Sequence, residues 1–181
     1  PLAGVACHSA THFLTPLGLL EVNQTIRDNL INNFSDVNFC DQAFVMEHGL
    51  EVQLPFINKV FGNDIRIVPL IVGDISTQGA SEIFAKLWND PSNFFIVSSD
   101  LSHFHDYKTA VELDQKTSRI IENLDFECLN PNFACGFYSL RGLLHHSKQE
   151  GLKVKTLDLR NSGDTAGDKS QVVGYGAYAF Y

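Results

Sequence analysis

Residues 65–72, IRIVPLIV, and residues 93–99, NFFIVSS, are near-continuous apolar runs, and their reading decides the fold. Such runs suit strands buried on both faces, as in a sheet covered by helices. Between them, residues 77–89 carry helical periodicity. Strand, helix, strand in that order predicts a parallel pair joined by a right-handed crossover. The fold class expected is therefore α/β, a mainly parallel sheet flanked by helices.

Working outward, AGVACHS at 3–9 reads as a strand, Thr15-Pro16-Leu17-Gly18 as a turn, and 19–22 as a short strand. Asn23 is placed to cap a helix over 24–34 with Ile26, Leu30, Ile31 and Phe34 on one face. Residues 47–61, EHGLEVQLPFINKVF, carry Leu50, Leu54, Ile57 and Phe61 at helical spacing. Pro55 interrupts them, so a kinked helix or two short pieces is expected. Downstream, helices are predicted over 106–124, with Ile120, Ile121 and Leu124 facing inward, and over 136–150. Strands at 153–159 and 171–180 follow, separated by a Gly/Asp/Ser loop at 161–170. No repeat or linker divides the chain, so residues 1–181 read as a single domain.

Composition narrows the function classes. Hydrophobic residues make up 44% and charged residues 19%, a globular balance, and fourteen Phe against one Met indicate a well-specified core. The net charge of -8 and the lack of a Lys/Arg cluster argue against nucleic acid as a partner. Cys7, Cys40, Cys128 and Cys135 form no CxxC pair and match neither a zinc ribbon nor a disulfide scaffold, which suits a reducing, cytoplasmic setting. No apolar run reaches the ~18 residues that span a bilayer, so no membrane role is expected. No signal peptide opens the chain. Pro1-Leu2-Ala3-Gly4-Val5, without an initiator Met, reads as the interior of a larger polypeptide.

Ligand sites of open α/β sheets form beyond the carboxyl ends of strands. That rule selects Ser98-Ser99-Asp100-Leu101-Ser102-His103-Phe104-His105. A neutral histidine there can bind a metal or move a proton near neutral pH, and Asp100 can orient His103 by accepting its second N–H. The plainer reading is a polar cap on the next helix. In Glu47-His48-Gly49-Leu50-Glu51, helical spacing puts His48 and Glu51 on one face. They suit a base or ligand beside carboxylates, or equally a helix start with a surface histidine. In Phe133-Ala134-Cys135-Gly136 the cysteine precedes a helix start. Thiolate is a nucleophile and soft metal ligand; the plainer reading is a small buried hydrophobe. Asn161-Ser162-Gly163-Asp164, with Gly167-Asp168 and Ser170, is a pocket cover or, by default, a solvated connection. His8 and His12 read as structural, His145 and His146 as surface. GxGxxG, P-loop and GxSxG motifs are absent from the sequence.

EHGLEVQLPF at 47–56, SSDLSH at 98–103, NSGD at 161–164 and VVGYGAYAF at 172–180, with LTPLG at 14–18 and ACG at 134–136, together resemble the Memo family. The resemblance runs in order over essentially all 181 residues. It implies kinship with class III extradiol ring-cleavage dioxygenases, whose non-haem iron(II) is held by two histidines and a carboxylate. Memo-family proteins are associated with iron or copper bound through two histidines and a cysteine. Redox chemistry, phosphotyrosine-peptide binding and cell motility have been proposed as their roles, and prokaryotic relatives are linked with a radical-SAM partner.

Carried onto this chain, the resemblance makes Cys135 the metal ligand, His103 the catalytic base, His48 a second pocket histidine and Asp100 the aspartate of the strand-end motif. The family's two metal-ligand histidines, in His-Ala-Gly-Tyr and Gly-Pro-Ser-His stretches, would fall before Pro1. The N-terminal strands of the domain are thus expected to be missing. Cys135 alone would hold a metal weakly unless His48 and His103 complete the set. The implied function is metal-dependent redox or dioxygenase activity. A non-catalytic module that binds a peptide or small ligand in the same pocket is the alternative, favoured slightly by a cysteine where the dioxygenases use a carboxylate. An inactive product is a third.

Overall fold

The strand that organises the first part of the chain is β1 (Val5–Cys7), whose three residues are all buried. In the computed structural model, which describes residues 2–165 and 167–181, the chain divides into two units at Ile75/Ser76. Pro1, and Ala166 within the 161–170 loop, lie outside the described residues.

In the first unit β1 pairs in parallel with β4 (Val37–Phe39) and antiparallel with β6 (Leu70–Val72). A second sheet has the order β2 (His12–Thr15), β3 (Gly18–Val22), β5 (Arg66–Ile67), with β2 and β3 an antiparallel hairpin and β3 and β5 parallel. The apolar run 65–72 therefore splits at Val68-Pro69 and serves two sheets. Proline has no N–H for a ladder, which makes it a natural break. Helix α1 (Gln24–Asn33) begins where its cap was expected, with the Asn23 side chain accepting the Ile26 N–H at 3.2 Å. Arg27, buried on α1, donates to the carbonyls of His8, Ser9 and Ala10 at 3.3, 3.4 and 3.2 Å. It pins the connection that leaves β1. The stretch 47–61 is helical only as α2 (Leu54–Phe61). Pro55 sits in its first turn, where a missing N–H has no intrahelical partner to lose.

The second unit holds α3 (Thr77–Trp88), α4 (Tyr107–Glu122) and α5 (Phe137–Glu150) with one antiparallel sheet, β7 (His103–His105), β9 (Val172–Phe180), β8 (Val154–Asn161). Ser76 and Asp106 cap α3 and α4 through their side chains. Ile121 and Leu144 centre a core that takes in Ile120, Leu124, Phe137 and Leu140. On its other side α5 meets α3 closely: a Cβ at Gly142 would fall 2.4 Å from the Ala80 Cβ.

Three expectations are corrected. The sheets are not mainly parallel: of six pairings between named strands, two are parallel and four antiparallel. The run 93–99 forms no strand, so the parallel pair with 65–72 is not formed. Phe94 and Ile96 are exposed, while Phe95 packs on Phe84 and Trp88 with ring centroids 5.9 and 5.0 Å away. An apolar run expresses a demand for burial, and here one face meets it through ring packing without a hydrogen-bonded ladder. His146 is likewise not on the surface. Helix α5 is covered on two sides, and His146 is 1% exposed, stacked on Phe84 and edge-on to Trp88.

Burial holds the His146 imidazole below the ordinary value of 6.5, with His145 acting in the same direction and Glu150 against it. The folded state thus binds this proton less readily than the unfolded chain. Stability from the neutral ring is complete above pH ~6.5 and is lost as pH falls from there towards the lowered folded value. Urea midpoints followed from about pH 8 to about pH 5 should fall on the acid side in the natural protein, and His146→Phe should flatten that slope.

Candidate metal site

The site is built where two loops of the second unit meet. Leu101 and Ser102 are buried and framed by β9: Leu101 N–H donates to the Gly174 carbonyl at 2.9 Å, and Gly174 N–H donates to the Ser102 carbonyl at 2.8 Å. Beyond them β7 pairs His103 with Val173 and His105 with Val172, with a bulge between. Phe104 occupies that bulge in the left-handed region, φ 59°, and its ring is exposed. Few side-chain-bearing residues adopt this conformation.

Cys135 arrives from the turn before α5. Its N–H donates to the Asp100 carbonyl at 3.2 Å, and the Asp100 N–H donates to the Cys135 Sγ at 3.1 Å. This reciprocal pair fixes the cysteine against the strand-end motif. Ser99 reinforces it. Its Oγ accepts the Gly136 N–H at 2.9 Å, donates to the Asp100 carbonyl at 2.8 Å, and lies 3.7 Å from Sγ. Gly136 is required by close approach, since a Cβ there would fall 2.8 Å from the Ser99 Cβ and 3.0 Å from the Ser98 carbonyl oxygen. The Asp100 Oδ2 stands 3.5 Å from the His103 Nε2. One ligand atom each from Asp100, His103 and Cys135 all lie within 4.8 Å of one another. Asp100 and His103 are half-buried and Cys135 is exposed.

The other sequence candidates have different surroundings. His48, in the first unit, lies in an irregular segment, not on a helix, with its Nδ1 2.7 Å from the Glu51 Oε1. Both side chains are well exposed, so the pair contributes little to stability. The loop motif at 161–164 is a clasp: Asn161 accepts the Gly163 N–H, and Asp164 accepts both the Asn161 N–H at 2.9 Å and the Tyr107 hydroxyl at 2.7 Å. These hydrogen bonds hold the Asp164 carboxyl below its usual range. All four cysteines are free, and burial pushes the Cys7 thiol up to about 11, which leaves it unreactive.

Sequence reasoning passed over Ser99 as a support and missed Asp114 altogether. Asp114, buried on α4, accepts the Ser102 N–H at 2.9 Å. Burial pushes its carboxyl above the usual range, against the pull of the Ser102 N–H and the nearby His103 and His105. A signal was present: Asp114 shares a helical stripe with Ala110, Thr117 and Ile121, and a carboxylate on a buried stripe calls for a purpose.

The family described as Memo-like protein matches residues 2–179. The chain belongs to the Memo-like family. Similar curated relatives are MEMO1 family proteins of Desulfurococcus amylolyticus (34% identical, covering 92% of this chain and 63% of the relative), Thermoplasma acidophilum (33%, 89% and 63%) and Methanobrevibacter smithii (35%, 97% and 66%). This Memo-like chain thus spans a little under two thirds of the length of the relatives it matches. No helix among its described residues is long and apolar enough to cross a membrane.

Ser99→Ala removes the acceptor of the Gly136 N–H and the hydroxyl beside the sulfur. A loss of about 1–3 kcal/mol is expected for a half-buried donor left unpaired, read as a lowered thermal midpoint of the purified protein.

Proposed function

We propose that this Memo-like chain holds a redox-capable transition-metal ion on Asp100, His103 and Cys135, in a metal-dependent redox or dioxygenase activity related to that of the class III extradiol dioxygenases. The observation that carries the reading is the convergence of a carboxylate, an imidazole and a thiol within 4.8 Å. The donor set fits the group. Oxygen, nitrogen and sulfur donors together suit iron(II) or copper, whereas magnesium and calcium favour oxygen alone. Three protein donors are the pattern of a catalytic site, which keeps positions open, not of a closed structural one. An ion of this kind supplies one-electron chemistry and a position for dioxygen or substrate.

The chain's own part is positional. The Asp100 N–H and the Ser99 hydroxyl steady the sulfur, and the Asp100 carboxylate faces the His103 ring. In this reading His103 is a donor to the ion, whereas the resemblance alone makes it a free base.

A second reading, capture of a peptide or small ligand without redox chemistry, draws support from the exposed Phe104 ring, 5.8 Å from that of His103. A radical-SAM partner remains a family expectation to be sought by co-purification with the full-length relatives.

Anaerobic purification followed by metal analysis separates the readings. The natural chain should carry iron or copper, Cys135→Ala should lose it, and His103→Ala should lose most of it. Metal retained in full by His103→Ala would return His103 to the role of base, and a metal-free natural chain would leave ligand capture as the function.

A further inference from the structure

Asp114 is 3% exposed and forms no ion pair with lysine or arginine among the described residues. Burying a carboxyl without a cationic partner is costly, so its neighbours identify what it does. Oδ1 accepts the backbone N–H of Ser102, the residue before His103. The other oxygen lies directly against Gly174, where any Cβ would fall 2.0 Å from Oδ2. Gly174 in turn holds both Leu101 and Ser102 by backbone hydrogen bonds. The segment is thus pinned from α4 by the carboxyl and from β9 by the glycine. Two residues beyond Ser102, Phe104 keeps a left-handed backbone. Uncommon conformations of this kind persist only where the surroundings over-determine them.

We infer that Asp114 is a positioning residue: its carboxyl, seated against Gly174, fixes the Leu101–Ser102 backbone and so presents the His103 imidazole to Asp100 and Cys135. The inference rests on the donor set proposed above, yet it concerns the placement of the ring and can be read with or without metal. The contact needs an acceptor, not a charge. Asp114→Asn keeps an oxygen for the Ser102 N–H, whereas Asp114→Leu fills the space and removes it.

The test uses cobalt(II) as the probe, followed by its absorption spectrum, together with NMR of the histidine rings and hydrogen exchange of the Ser102 amide. Asp114→Leu should bind cobalt(II) about 10–100-fold more weakly, the range seen when supports of metal ligands are removed. It should also shift the His103 ring resonances and speed exchange at Ser102. Asp114→Asn should restore all three towards the natural protein. If Asp114→Leu does not fold, Asp114→Ala is read in its place. Natural ring resonances and natural Ser102 exchange in the apolar variant would overturn the inference, as would an Asp114→Asn variant as impaired as the apolar one. A natural chain that takes up no cobalt(II) would count against the metal reading alone, because ring resonances and amide exchange still decide the role of Asp114.

Discussion

The candidate site depends on one reciprocal contact: the Asp100 N–H donates to the Cys135 sulfur while the Cys135 N–H donates to the Asp100 carbonyl. Hydrogen bonds between loops usually count for little, because loops can shed them to water. Here the pair is backed by Ser99 on one flank and by the start of α5 on the other. The sulfur is therefore held in place while still reaching solvent. A ligand that is fixed yet accessible is what a reactive centre needs, and two segments with no strand pairing between them supply it.

Much of the chain was legible from its residues because local rules governed those parts. Asn23 caps α1, Pro55 marks the start of α2, and the helices at 77–88, 107–122 and 137–150 follow the periodicity of their apolar positions. What could not be read was partnership. Residues 65–72 and 93–99 look alike as apolar runs, but Pro69 divides the first between two sheets and the second is satisfied by packing Phe95 onto aromatic rings. The amino-acid order states how much surface a segment must hide, not which backbone will receive its N–H groups.

The site shows the same division. The strand-end motif and the cysteine before α5 were recognisable separately, since each is a run of chemically able side chains beside a helix start. Their meeting is a tertiary fact. Asp114 was hidden more deeply, since its role is carried by a backbone N–H in another element, and backbone donors leave no mark in the residue sequence. His146 escaped for a related reason: one stripe of α5 faces its core, but the second face, closed by Gly142 on Ala80, becomes apparent only when α3 is alongside.

The pairing of β1 bears on how the polypeptide is made. Val5–Cys7 is the middle strand of its sheet, yet one neighbour comes from Val37–Phe39 and the other from Leu70–Val72. A ribosome delivers these pieces in order, so the central strand waits with an open edge until the last of them has emerged. During that interval three apolar residues are offered to any passing chain, and closing so long a loop is slow. Until Leu70–Val72 arrives, β1 is thus the strand of its sheet most open to mispairing.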